Sequence, residues 1–222
     1  MKIIAHIRTD FPTKFGIPRQ SGLAETPGQI VFLPEYRNPD ALRGIEEFSH
    51  LWLLWDFSEA HRAVWSPTVR PPRLGGNERR GVFATRSPFR PNPIGLSCVR
   101  LCGVRHTEKE GDVLDVAGAD LMDGTPILDI KPYLPYTDAH PEAAAGFAGA
   151  VFGRCLTVCI PPELSALLPP DRRAPLVAIL VQDPRPSYQD DPARVYGMPY
   201  AGYDVRFTVA DGILTVCDIL PL

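Results

Sequence analysis

Residues 73–97, RLGGNERRGVFATRSPFRPNPIGLS, cannot form an ordinary helix. Glycine carries a high backbone entropy cost, and each proline removes a donor and clashes with the preceding turn. The stretch reads as a long loop with short strands at residues 81–83 and from Ile94 onward, and it carries five arginines against one acid, Glu78. A long arginine-rich loop between strands serves binding more readily than core packing. With 25 prolines and 18 glycines in 222 residues, the rest of the chain also favours short strands and many turns, so a mainly β or α+β fold is expected.

In chain order, residues 2–8 read as a first strand and 11–23 (FPTKFGIPRQSGL) as a loop presenting Arg19 and Gln20. Residues 29–33 form a second strand and 38–48 a short helix or turn. The run HLWLLWDF, 50–57, reads as a central strand buried on both faces. Residues 96–104 and 113–116 pair as a hairpin across 108–111. Asp123-Gly124 is a turn signal before the strand ILDI. Asp120, Asp123 and Asp129 either anchor turns or act as functional acids.

An alanine- and glycine-rich break at 137–149 divides the chain into units 1–138 and 139–222. In the second, 150–160 reads as a strand, 162–168 as a short helix and 176–182 as an apolar helical or strand segment. A hairpin crosses Asp211-Gly212. This small α+β unit is expected to be weakly stable alone.

Five cysteines in C-x3-C pairs (Cys98 and Cys102, Cys155 and Cys159) plus Cys217 fit neither a zinc pattern nor a disulfide framework; the pairs read as small buried hydrophobes. Five scattered histidines give no ligand spacing, so no metal is expected. No apolar run is long enough to span a membrane and the N-terminal residues lack a signal-peptide pattern, so a cytoplasmic location is expected. Net charge is −3, yet residues 62–105 hold nine arginines, one acid and no lysine, which leaves the remainder strongly acidic. Guanidinium forks suit phosphate, carboxylate and base edges, while an ion-paired surface is the simpler alternative. Walker A, G-x-S-x-G, H-E-x-x-H and G-x-G-x-x-G patterns are all absent.

Five strings carry a family resemblance: FGIPRQSGL (15–23), RGIEEFSHLWLL (43–54), PTVRPPRLGGNERRGVFATRSPFRPNPIGLS (67–97), DLMDGTPILDIKPYLPY (120–136) and DPRPSY (183–188). In this order they resemble the TrmO-type, TsaA-like tRNA methyltransferases across nearly the whole chain. The resemblance implies an N-terminal β-barrel of non-Rossmann type with a small C-terminal domain, a homodimer, and S-adenosylmethionine as methyl donor. The implied substrate is the exocyclic nitrogen of threonylcarbamoyl-adenosine beside the anticodon of threonine tRNA.

Carried over by motif, the cofactor contacts are Pro18, Arg19, Gln20, Ser58, Glu59, Arg86, Leu96, Gly118, Ala119, Asp120 and Leu121. Relatives often carry histidine at Ser58, which leaves a backbone contact as the expectation there. The motif does not fix a catalytic base; Asp120 and Asp123 are its nearest candidates. A urea-like nitrogen must lose its proton as it attacks, and positioning should supply most of the catalysis. Arg70, Arg73, Arg79, Arg80 and Arg90, with Phe89, are the candidates for the anticodon loop, whose unpaired bases can stack on aromatic or guanidinium faces. The alternatives are a related methyltransferase acting on another RNA base or a small amine, and a noncatalytic RNA-binding barrel.

Overall fold

The computed structural model describes residues 1–71, 78–151, 153, 155–185 and 191–222. Six strands close an antiparallel barrel: β1 (Ala5–Thr9), β2 (Pro27–Phe32), β3 (His50–Asp56), β6 (Ile94–Thr107), β7 (Gly111–Ala117) and β8 (Pro126–Pro132), in the order β1-β2-β7-β6-β3-β8. Between β3 and β6, β4 (Thr68–Val69) and β5 (Arg80–Gly81) pair as a two-stranded ribbon. Alternate residues of each barrel strand point inward, so Ile7, Ile30, Leu51, Leu53, Val99, Leu114, Val116 and Ile127 fill one core. Register shifts between Leu101 and Gly103 on β6, and between Leu54 and Trp55 on β3, mark irregularities of the kind that bend strands toward closure.

The barrel corrects the reading of 50–57. Leu51, Leu53 and Trp55 are buried, whereas Trp52 and Leu54 are half-exposed on the outer face, because a barrel strand has only one core side. The short helix expected at 38–48 is instead two 3-10 turns, Pro39–Leu42 and Ile45–Glu47, separated by Gly44 at φ 84°. The strand expected at 81–83 stops at Gly81 and turns into a 3-10 segment, Val82–Ala84.

After β8 come α1 (Pro135–Asp138) and α2 (Phe147–Val151), then β9 (Thr157–Cys159), α3 (Pro162–Ser165) and α4 (Pro170–Val181). The chain ends in β10 (Tyr196–Tyr200), β11 (Tyr203–Ala210) and β12 (Ile213–Pro221). The strand expected over 150–160 is thus confined to three residues. These last strands form a sheet in the order β10-β11-β12-β9, with β9 parallel to β12. The β11–β12 hairpin turns at Asp211 and Gly212, both at positive φ, as an Asp-Gly pair favours. Leu176, Ile179 and Leu180 of α4 pack on Tyr200, Val205, Phe207 and Val216 in a second core.

That second core is completed from the N-terminal half. Phe11 and Ala24 are buried in it, and Phe15 and Ile17 pack against it, so the 11–24 loop lies between the barrel and the C-terminal sheet. The cysteines depart from expectation: Cys98 is half-buried and the other four are exposed and free. Gly95, Ser97 and Val99 take the inward positions of β6, which leaves Cys98 on its outer side.

Candidate active site at the barrel mouth

The 11–24 loop is the piece against which the other site segments come to rest. On its C-terminal-domain side, Ala201 N–H donates to the Asp10 carbonyl over 3.1 Å, and the Arg19 guanidinium donates to the Asp183 carbonyl over 2.7 Å. Gly16 sits at φ 93°, and a Cβ there would lie 2.5 Å from Met198 Sδ, so only glycine fits. A cavity of about 240 Å³ opens between this loop and the C-terminal unit, lined by Lys14, Pro18, Arg19, Gln182 and Arg185 among others.

On its barrel side, Lys14 pairs with Glu59 at 3.0 Å, which ties the loop to the chain leaving β3. Arg86 donates to the Gln20 side-chain carbonyl. Ser21 Oγ accepts from Cys98 N–H at 3.1 Å, and Gly22 N–H donates to the Gly118 carbonyl at 2.9 Å. Gly118 is at φ 85°, and a Cβ there would approach Gly22 N to 3.3 Å, so the loop and the turn after β7 require glycine for two reasons. Thr26 Oγ1 donates to the Ala119 carbonyl at 3.1 Å, fixing the next residue of that turn.

Asp120 follows directly. Its Oδ1 accepts from Ser97 Oγ at 2.5 Å, and Ser97 Oγ in turn accepts from Trp55 Nε1 at 2.9 Å. With the indole donating to it, the Ser97 hydroxyl directs its single proton to the carboxylate. Burial pushes the Asp120 carboxyl above the ordinary aspartate range. The Ser97 hydrogen bond, the backbone amides of Asp120 and Ser21, and the charge of Arg86 pull it back only in part. A carboxylate so held is a stronger base than an exposed aspartate and is oriented by a buried relay. Gly95 makes the relay possible, since a Cβ at that position would fall 2.1 Å from the Trp55 ring.

The candidate residues therefore divide. Arg19, Gln20, Glu59, Arg86, Gly118, Ala119 and Asp120 are joined directly or through one neighbour to the 14–22 loop. Pro18 is buried in that loop, and Ser58 is exposed beside Glu59. The Leu121 side chain belongs to the barrel core, and its carbonyl accepts from Thr9 Oγ1. Leu96 points the opposite way from Ser97. It lies 54% exposed on the outer face of the barrel, in a groove of about 460 Å³ with Trp52, Leu54, Lys131, Asp138 and His140.

Asp123 accepts from Thr9 N–H at 3.0 Å and anchors the turn before β8, as a turn aspartate does. Among the RNA candidates, Arg70 and Arg79 are exposed, with Arg79 donating to Thr68 Oγ1. Arg80 pairs with Glu78, and Arg90 donates to the Thr85 carbonyl. Arg73 lies outside the described residues, as does the 186–188 part of DPRPSY.

Sequence reasoning missed Ser97, Trp55, Ser21 and Lys14. Ser97 did leave a signal: a hydroxyl at an inward position between Gly95 and Val99, where an apolar residue belongs. Among the described residues, no three His, Cys, Asp or Glu side chains gather as a metal site, and no helix is long and apolar enough to cross a membrane.

A closed antiparallel barrel whose mouth is covered by a loop shared with a small C-terminal sheet defines a class of two-part, non-Rossmann proteins, and the comparisons with known proteins narrow that class. The description of the tRNA-methyltransferase O N-terminal domain matches residues 6–139, and that of the TrmO C-terminal domain matches 163–222. A tRNA (adenine(37)-N6)-methyltransferase of Escherichia coli K12 is 41% identical over 227 residues, covering 98% of this chain and 96% of its own. One from Eikenella corrodens is 52% identical over 171 residues, 76% of this chain and 95% of its own. A crystal structure of TrmO from Pseudomonas aeruginosa superposes with a TM-score of 0.79 at 36% identity, over 99% of this chain and 95% of that one. The chain belongs to the TrmO family.

Proposed function

We propose that this protein is a tRNA (adenine(37)-N6)-methyltransferase that takes its methyl group from S-adenosylmethionine and acts on threonylcarbamoyl-adenosine in threonine tRNA. The observation that carries the reading is the meeting of Gln20, Arg86 and the Ser97-held Asp120 on the barrel side of the 11–24 loop, in a chain whose relatives bear the name tRNA (adenine(37)-N6)-methyltransferase. The residues present fit the cofactor. Arg86 and the Gln20 amide suit its carboxylate and amine, and the 118–121 turn, held by Gly22 and Thr26, lies beside them, with Pro18 and Arg19 on the adjoining stretch of the loop. Ser58 and Glu59 lie just past the end of β3, whereas the Leu96 side chain faces away from Asp120, in the outer groove.

Bound there, S-adenosylmethionine supplies a methyl group on a positively charged sulfur, and the protein's task is alignment. The bond formed is nitrogen to methyl and the bond broken is sulfur to methyl. The proton on the attacking nitrogen passes to the Asp120 carboxylate, whose upward-shifted pKa suits it to accept one from a urea-like group. Arg70, Arg73, Arg79, Arg80 and Arg90 contact the tRNA backbone and anticodon loop.

The protein works as a homodimer in the cytoplasm. The apolar outer groove at Trp52, Leu54 and Leu96 supports a second copy seated there. Mass spectrometry of nucleosides from threonine tRNA, after incubation with the protein and S-adenosylmethionine, tests the enzymatic reading. Threonylcarbamoyl-adenosine gains one methyl group; if it gains none, the reading fails.

A further inference from the structure

The ribbon of β4 and β5 brings together two exposed aromatic side chains that neither core needs. Thr68 pairs with Gly81, Val69 pairs with Arg80, and Val82 N–H donates to the Pro67 carbonyl at 2.9 Å. This pairing sets Trp65, three residues before the ribbon, beside Phe83, two residues after it. Their ring centroids lie 6.1 Å apart with planes inclined by 31°, and the side chains are 46% and 71% exposed. Val82, next to Phe83 in the chain, is buried, which fastens the turn carrying Phe83.

Arg90 lies against the pair, and other arginines lie along the same segment. The Arg90 guanidinium lies 5.9 Å from the Phe83 ring and donates to the Thr85 and Ser87 carbonyls, which stiffens the turn, while Arg62 lies 3.7 Å over Phe89. Arg79 is held at the ribbon by Thr68. Arg86, which touches the cofactor loop through Gln20, falls between Phe83 and Phe89 in the same turn.

We propose that Trp65 and Phe83 form a stacking platform for unpaired RNA bases that flank the methylated nucleotide, with the surrounding arginines on the phosphates. The proposal rests on the tRNA methyltransferase reading above. Exposed aromatic faces set among cations are the chemistry that holds single-stranded nucleic acid, since every base has a π-face and each nucleotide a negative charge. Phe83 sits three residues from Arg86, so stacking on the platform would fix the neighbouring base beside the segment that meets Gln20.

The test compares wild type with Trp65→Ala/Phe83→Ala and with the aromatic-preserving Trp65→Phe/Phe83→Tyr. Each protein is titrated with an anticodon stem-loop and with a blunt RNA duplex of equal charge, and cofactor affinity and sedimentation are measured alongside. The alanine pair should lose roughly tenfold or more in stem-loop affinity, with duplex affinity, cofactor affinity and oligomeric state unchanged, and the aromatic-preserving pair should bind as wild type does. Equal stem-loop affinity for the alanine pair and wild type overturns the platform while leaving the enzyme reading intact. So does a change of oligomeric state in the alanine pair, which would assign the patch to self-association. If wild type binds no stem-loop and methylates no tRNA, the enzyme reading falls and the platform falls with it.

Discussion

Residues 11–24 and residues 62–93 are made of similar material, proline and glycine punctuated by arginine and a few aromatics, yet they reach opposite ends. In the first, Phe11 is fully buried against Tyr200, Phe15 and Ile17 pack on the C-terminal core, and hydrogen bonds run to both halves of the molecule. In the second, Phe83 and Trp65 stand in solvent, and many of the polar contacts are internal to the segment. Backbone chemistry keeps the described parts of both from forming long helices or strands. The fate of the aromatic side chains decides which becomes a structural hub and which an exposed arm.

The strongest way to break that contrast is to truncate one aromatic from each. Phe11→Ala removes a fully buried ring that joins the 11–24 loop to the second core and should cost about 3–5 kcal/mol. Phe83→Ala removes a ring with little to lose and should stay within about 0.5 kcal/mol of wild type. Urea denaturation with equal m-values reads both. Comparable losses would mean that the arm is as structural as the hub.

Next in size is the relay behind Asp120. Asp120→Asn keeps the shape but removes the proposed proton acceptor, and should lower kcat/KM by about 10²–10⁴-fold. In the wild type the acceptor must be ionised, so activity rises with pH through the Asp120 pKa, which burial holds above the ordinary aspartate range. Ser97→Ala deletes the hydrogen bond that favours the charged form, so the acid limb of the pH–rate profile should move to higher pH. A limb that stays put would remove Ser97 from the relay. The same shift bears on stability: because the folded-state pKa is raised, Asp120 weakens folding as pH rises from its unfolded value through the folded one, and Asp120→Asn should flatten that slope.

Gly95→Ala tests the support of the relay rather than its chemistry. The added methyl would meet the Trp55 ring, and either ring or strand must shift, at about 1–3 kcal/mol in stability. Activity should fall with the pH profile displaced in the Ser97→Ala direction, because a moved indole no longer directs the Ser97 proton. A stability loss with an unmoved profile would separate packing from positioning.

The sequence made the barrel legible to the extent that its strands alternate. Ala5–Thr9, Pro27–Phe32 and the β6–β7 hairpin fall where periodicity and turn residues place them. Barrel closure was legible only through the family strings, since it depends on irregularities and on a partner for every edge, neither of which a local pattern records. The run at 50–57 was misread for that reason, because an outer barrel face can carry Trp52 and Leu54 half in solvent. At the site, Arg19, Gln20, Arg86 and Asp120 stood out by type and by family string. Ser97 and Trp55 did not, because their role arises from two strands meeting across the barrel wall. The burial of Phe11 and the exposure of Phe83 were equally invisible, because both sit in proline-flanked loops with no periodicity to assign a face.

The smallest expected effect sharpens the arm's side of the contrast. Arg79 is exposed and, among the described residues, donates to Thr68 alone, so Arg79→Ala should leave stability within about 0.5 kcal/mol. If its guanidinium neutralises one phosphate, the slope of log affinity for tRNA against log salt should become shallower by about 0.7–0.9. Arg86→Ala, by contrast, should weaken S-adenosylmethionine binding if the proposed cofactor site is right, because Arg86 reaches the 11–24 loop through Gln20. Calorimetry with the cofactor and salt titrations with tRNA, run on both variants, would show whether one turn serves the two ligands with different arginines. A shared loss of both affinities in either variant would instead make the arm a single unit whose position, not its individual side chains, governs binding.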